Sequence, residues 1–164
     1  MSTIKLGFAP TRRSIFSAPD AVKYRVYTIM GDGELAEGSV WEGAMSASHY
    51  KLDNLCAVVD RNRVQISGST EEVMHHDDLE TRFAAFGWHV IQVDGHNYDA
   101  LAAAFEEAKQ TKGQPTVLIA NTIKGFGSAI MENKAAWHHH LPNQDEYEQI
   151  VADLAEKKEA ALHE

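Results

Sequence analysis

The residues best suited to chemistry in this 164-residue sequence are oxygen donors placed where strands end. Asp32 stands inside Gly31-Asp32-Gly33, and Asn62 stands inside Asp60-Arg61-Asn62, thirty residues further on. A carboxylate, an amide oxygen and a backbone carbonyl, joined by a few phosphate oxygens, make the oxygen-only, roughly octahedral shell that Mg²⁺ takes. Gly31 and Gly33 remove Cβ atoms where a diphosphate would approach, and the Gly33 N–H, near a following helix N-terminus, is a donor for a phosphate oxygen. Gly-Asp-Gly alone is also a common turn. The elements around it decide between a turn and a cradle.

Tyr24–Met30 (YRVYTIM) is β-branched and aromatic and stops at the Gly-Asp-Gly, so it reads as a strand. Glu37–Tyr50 places Val40, Trp41, Ala44, Met45 and Ala47 at helical spacing. Leu55–Asp60 (LCAVVD) is an apolar run of the kind buried on both faces of a parallel sheet. A helix over Asp77 to Phe86 leads to a strand over Trp88–Asp94. Asn97–Thr111 is a helix with Leu101, Phe105 and Ala108 on one face and Asn97 as N-cap. Thr116–Asn121 (TVLIAN) is the last strand. A Gly-rich loop, Lys124–Ser128, leads through Trp137–His140 to a C-terminal helix carrying Tyr147, Ile150, Val151, Leu154 and Ala161 at spacings of three and four.

Strands alternating with helix-length segments predict an α/β fold, a doubly wound, mainly parallel sheet with helices on both faces. Ligands of such sheets sit beyond the carboxyl ends of the strands. One strand–helix–strand passage fits between Asp32 and Asn62, so both are expected at one crevice.

The formal charge is −9, and it is unevenly spread. Residues 1–25 carry Lys5, Arg12, Arg13, Lys23 and Arg25 against Asp20, a net of +4, which leaves −13 on the rest of a chain whose total is −9. An acidic body excludes nucleic acid as the expected partner. No apolar run approaches the roughly 20 residues of a membrane span. The lone Cys56, inside an apolar strand, excludes an internal disulfide framework and reads as a small core residue. A reducing cytoplasm is the expected compartment.

The longer string from Gly31 to Gly68, GDGELAEGSVWEGAMSASHYKLDNLCAVVDRNRVQISG, resembles the thiamine-diphosphate motif of transketolases. The similarity runs on through VDGHN (Val93–Asn97), PTVLIANTIKGFG (Pro115–Gly127) and the Trp137-His138 region, over residues 24–164. In particular the chain is similar to the N-terminal, diphosphate-binding subunit of split transketolases, whose pyrimidine-binding half is a separate C-terminal chain. The resemblance implies thiamine diphosphate and Mg²⁺ as cofactors and sugar phosphates as substrates, in a homo- or hetero-oligomer.

It also implies roles. Asp32 and Asn62 would ligate the metal through side chains and Val64 through its carbonyl, with Gly31, Gly33 and Glu34 beside the cofactor. Glu37 and Glu42 match a helix that faces the partner active site, where the family places a carboxylate network; without that match they read as a solvated helix face. His138 matches a histidine that contacts substrate hydroxyls and assists proton transfer, although His139 stands where the family commonly has Gly. Lys124 and Gly125 match the loop after the last strand. His75, His76 and His96 read as loop and surface residues, the first two in a segment able to help close the cofactor site. Consecutive residues seldom converge on one metal, so His138, His139 and His140 are not expected to form a transition-metal site.

Residues 1–23 do not follow the family. The Gly-His-Leu-Gly-x-Gly type of stretch that precedes the first strand in transketolases is absent, and Met1–Arg25 resembles the opening of L-fucose isomerase-type sugar isomerases. A fusion join near Lys23–Arg25 is expected to leave apolar strand surface without its usual helices. Three readings follow: a transketolase subunit needing a second chain, an inactive remnant that binds cofactor weakly or only a partner, and a 1-deoxyxylulose 5-phosphate synthase-like enzyme.

Overall fold

The structure is a computed structural model and describes residues 24–76 and 78–163; the expectations for residues 1–23 lie outside the described residues. Four strands form one parallel sheet: β1 (Val26–Gly31), β2 (Leu55–Arg61), β5 (His89–Asp94) and β6 (Thr116–Asn121), in the spatial order β1-β2-β6-β5. Two short strands, β3 (Val64–Gln65) and β4 (Gly68–Ser69), pair as an antiparallel hairpin directly after β2. The helices are α1 (Gly38–His49), α2 (Thr70–Val73), α3 (Leu79–Ala85), α4 (Tyr98–Gln110) and α5 (Gln144–Leu162), with 3₁₀ turns at Asp32–Ala36 and Ala135–His138.

The two faces of the sheet build two cores, as a strand period of two requires. On one face Met30, Ala57, Val59, Val117 and Ile119 meet Ala44 and Ala47 of α1, Leu79 and Phe83 of α3, and Trp88. On the other, Cys56, Leu118, Ala120 and Val93 meet Ala104 and Ala108 of α4. Helices therefore cover both faces, and β2 and β6 read as continuous apolar runs because both sides of each are packed. Cys56 is fully buried, and burial pushes its thiol up to about 11.

β1 is different. Its Tyr27 and Ile29 are 48% and 68% exposed, and Phe105 meets the Tyr27 ring edge-on at 5.8 Å. Among the described residues this outer face of β1 is an apolar surface. The stripe on α5 is also left open, with Tyr147, Val151 and Leu154 exposed; the helix is held by polar contacts to the loop after β6.

Caps explain where the helices start. Asn97 Oδ1 accepts the Ala100 N–H at 3.0 Å, as the sequence predicts. α3 begins at Leu79, because Asp78 turns its carboxylate onto the N–H groups of Glu80 and Thr81; the expected start at Asp77 lies outside the described residues. The core is joined across elements by the Trp88 indole, which donates to the Ala44 carbonyl at 2.9 Å inside the protein. Trp88→Phe removes that bond and leaves the carbonyl only its partner within α1, and is expected to lower stability by about 0.5–1.5 kcal/mol, read from the urea midpoint.

The register fixes the functional edge. Gly31 pairs with Asp60, Arg61 with Asn121, and Asn121 with Asp94, so all four carboxyl ends finish along one rim. A cleft of about 610 Å³ opens there, lined by Asn62 and Val64 after β2, His96 after β5 and Ile123 after β6.

Candidate functional site: a buried carboxylate at the sheet rim

Asp32 opens the 3₁₀ turn after β1 and is 2% exposed. Its Oδ1 accepts the Gly33 N–H at 2.9 Å and its Oδ2 accepts the Arg63 N–H at 2.6 Å. The second bond ties the end of β1 to the turn after β2. Arg63 adopts φ 63°, a left-handed conformation rare outside glycine, and its carbonyl accepts the Thr70 N–H at 3.0 Å. Backbone bonds on both sides hold that strained residue in place. Asn62 Oδ1 accepts the Val64 N–H at 3.0 Å, which fixes the amide and the start of β3.

The electrostatics favour a cation. Burial pushes the Asp32 carboxyl above its ordinary value despite the two N–H donors, and the nearby Asp60 adds to the rise, whereas His76 opposes it. The Thr122 hydroxyl, just after β6, donates to Asp60 and keeps that second carboxylate at the rim. Two further nitrogens, Gln65 Nε2 and His76 Nε2, are buried without a hydrogen-bond partner. Unsatisfied buried polar atoms of this kind mark a place for an ion, water or ligand. Each Asp32 oxygen and the Asn62 amide oxygen keep a lone pair beyond the bonds above. Carboxylate and amide oxygens of this kind are the donors that a hard divalent cation takes.

Gly33 lets the turn approach β3 closely. A Cβ there would stand 3.3 Å from the Cβ and Oε1 of Gln65, tight enough that Gln65 would have to shift by a few tenths of an ångström. The sequence reading offers the Gly33 N–H to a phosphate oxygen; among the described residues that N–H donates to Asp32 Oδ1.

A family model described as "Transketolase, thiamine diphosphate binding domain" matches residues 10–160. The chain belongs to the transketolase family. It is 44% identical over 140 residues to an apulose-4-phosphate transketolase subunit of Phocaeicola vulgatus, covering 85% of this chain and 50% of that protein. It is 43% identical over 142 residues to a 6-deoxy-6-sulfo-D-fructose transketolase subunit of Clostridium sp., covering 87% and 51%. The chain thus spans about half the length of these curated relatives. Human transketolase matches at 46% identity over 135 residues, 82% of this chain and 21% of that protein. Among solved structures, the transketolase of Campylobacter jejuni superposes with a TM-score of 0.82 at 26% identity, over 91% of this chain and 23% of that one. A Pichia stipitis transketolase in complex with sedoheptulose 7-phosphate gives 0.75 at 34% identity, over 81% and 20%.

The transketolase matches place the chain in the N-terminal, thiamine-diphosphate-binding part of the family. Within it, the remaining candidates separate. The Glu34 carboxylate folds back to accept the Gly31 N–H at 2.7 Å and braces the turn. Glu37 stands at the N-terminal boundary of α1 with no side-chain capping bond, and Glu42 lies within the helix; both are exposed. Neighbouring Trp41 is turned inward, its indole donating to the Leu35 carbonyl at 2.8 Å. His138 ends the 3₁₀ turn Ala135–His138, which packs against β3. Partial burial, then the charge of Lys124 and then His139, hold its imidazole below the ordinary histidine value.

The three consecutive histidines go to separate partners. His138 and His139 meet edge-on at 4.7 Å, whereas His140 bonds Glu146 at 2.8 Å and lies edge-on to Trp137.

His76 corrects the sequence reading. Placed there among loop and surface residues, it is 3% exposed and close enough to influence Asp32. No periodic pattern flags it, because it lies in the short link between α2 and α3. Burial first, then the Arg82 charge, lowers its value. A histidine held neutral in the fold contributes stability above the unfolded value near 6.5 and loses it as pH falls through that value toward the folded one. The urea midpoint is therefore expected to drop between about pH 7 and pH 5, and His76→Gln should flatten that slope. His138 acts in the same direction and keeps part of it.

Proposed function

We propose that this chain is the diphosphate-binding subunit of a two-chain transketolase, moving a two-carbon ketol unit between sugar phosphates with Mg²⁺ and thiamine diphosphate. The buried Asp32, bonded to the Arg63 backbone beside Asn62, is the observation that carries the reading. Asp32 and Asn62 would hold Mg²⁺ through side-chain oxygens and Val64 through its carbonyl. Gly31 and Gly33 keep Cβ atoms away from the diphosphate. When bound, the cofactor supplies carbanion chemistry that amino-acid side chains lack.

This chain's residues bind, orient and move protons. His138, whose value is lowered by its surroundings, suits acceptance of a hydrogen bond or proton from a substrate hydroxyl. Glu37 and Glu42, exposed on α1, are placed to meet a partner chain. That chain is the pyrimidine-binding half, and the names of the relatives that are themselves called subunits support its existence. The sugar-phosphate class is supported by the ligand of the Pichia stipitis relative. Among the described residues no helix is long and apolar enough to cross a membrane.

Calorimetric titration with thiamine diphosphate, with and without Mg²⁺, tests the cradle. Saturable, metal-dependent binding is expected. An isotherm flat at millimolar cofactor would instead identify an inactive remnant.

A further inference from the structure

The loop from Ile123 to Lys134 forms one wall of the rim cleft and runs into the turn that carries His138. Two clamps hold it. On the α5 side, Lys157 stands 4.6 Å over the Phe126 ring and bonds Glu132 at 3.0 Å; the same Glu132 oxygen accepts the Gly127 N–H at 3.1 Å. Asp153 accepts the Ser128 hydroxyl at 3.0 Å and the Ala129 N–H at 2.9 Å. On the sheet side the holder is His96, which follows β5. Its Nε2 accepts the Ile123 N–H at 2.8 Å, and its ring stacks on Phe126 with centroids 3.9 Å apart and planes 19° from parallel.

An imidazole nitrogen accepts only without a proton, so His96 is neutral with its hydrogen on Nδ1. The residue it fixes adjoins Lys124. The Lys124 carbonyl accepts the Asn133 N–H at 2.9 Å, with Asn133 in the left-handed region at φ 56°, and so closes the loop. From there Lys134 donates to Met131 and Trp137 to Lys134, each at 3.2 Å, which leads directly into the His138 turn on β3. Lys124 also reaches His138 electrostatically. A shift of Ile123 is thereby carried to both Lys124 and His138.

We propose that His96 is a positioning residue: by accepting from Ile123 it sets where Lys124 and His138 stand at the substrate side of the cleft. The proposal rests on the reading of His138 as a substrate-facing group. His96 lines the same cleft as Asn62 and Val64, but its ring nitrogen bonds the Ile123 N–H, so its effect is expected on turnover more than on cofactor affinity.

The test pairs variants that separate acceptor from ring. His96→Phe keeps the stack on Phe126 and loses the acceptor; His96→Leu loses both; His96→Gln keeps an acceptor without the ring. In the chain alone, the His138 imidazole is followed by ¹⁵N NMR across pH, its signal assigned with His138→Gln. His96→Phe and His96→Leu are expected to release the His138 titration toward the ordinary histidine range, and His96→Gln to restore most of the wild-type midpoint. In the enzyme assembled with the matching pyrimidine-binding chain, kcat should fall roughly tenfold to a hundredfold in the first two variants, with the dissociation constant of thiamine diphosphate within about twofold of wild type. A His138 midpoint that stays at the wild-type value in all three variants, or that moves equally in all three, would overturn the proposal. If the wild-type assembly performs no ketol transfer, the functional reading fails by itself, and the His138 titration still decides the role of His96.

Discussion

Asp32→Ala is expected to abolish Mg²⁺-dependent thiamine diphosphate binding, weakening it by at least about 100-fold, because it removes a charged metal ligand at the centre of the cradle. The side chain has a second task, since its Oδ2 holds the Arg63 N–H and with it the left-handed turn that presents Asn62 and Val64. The variant therefore loses one donor and slackens the other two. Unfolding is not expected to be the cause. Without metal the buried carboxylate is itself a burden: its folded value is raised, so the stability it contributes below its unfolded value is lost as pH rises through the folded one. Alanine removes that burden while leaving the Arg63 N–H unpaired, and the two effects oppose each other. Thermal denaturation checks this directly. Metal and cofactor together should raise the wild-type transition through mass action and leave that of Asp32→Ala in place.

Phe83→Ala should cost about 3–5 kcal/mol, the range for deleting a large buried aromatic side chain. Phe83 is 1% exposed and sits between Trp41 and Trp88, with ring centroids at 5.0 and 5.6 Å. Removing it opens a cavity between α1, α3 and the sheet. Against a total stability of roughly 5–15 kcal/mol, much of the fold's margin goes with it. The damage reaches the rim, because Trp41 bonds the Leu35 carbonyl and Leu35, 1% exposed, anchors the turn that opens with Asp32. Urea denaturation gives the stability loss. A parallel loss of cofactor binding is expected at temperatures where the variant begins to unfold.

The parts of this molecule legible in its sequence are those where one physical requirement dominates. LCAVVD and TVLIAN are packed on both faces, and no other element tolerates that composition so simply. Asn97 is a cap because its side chain replaces a missing helical acceptor, a local matter. The ends of β1 and β2 come together as the spacing suggests, since one strand–helix–strand passage returns the chain to the adjacent position of the same sheet, and Asp32 there bonds the backbone of Arg63, next to Asn62.

What escaped depends on tertiary contacts. The β3–β4 hairpin has two residues per strand, too few for a period to show. Arg63 carries no glycine-like signal for its positive φ, which is imposed by Asp32 on one side and Thr70 on the other. His76 is buried by its neighbours rather than by a pattern of its own. The apolar stripe of α5 is legible, but the structure leaves it open and fastens the helix through Asp153 and Lys157, polar residues the periodicity assigns to solvent.

The central claim is that this chain supplies the diphosphate half of a transketolase and acquires activity with a second polypeptide. The most direct measurement mixes it with the matching pyrimidine-binding chain, Mg²⁺ and thiamine diphosphate, and follows two-carbon transfer from a ketose phosphate to an aldose phosphate by product analysis. Transfer that requires both chains and disappears with Asp32→Ala is the expected result. No product from the complete mixture, or product that persists with Asp32→Ala, would contradict it.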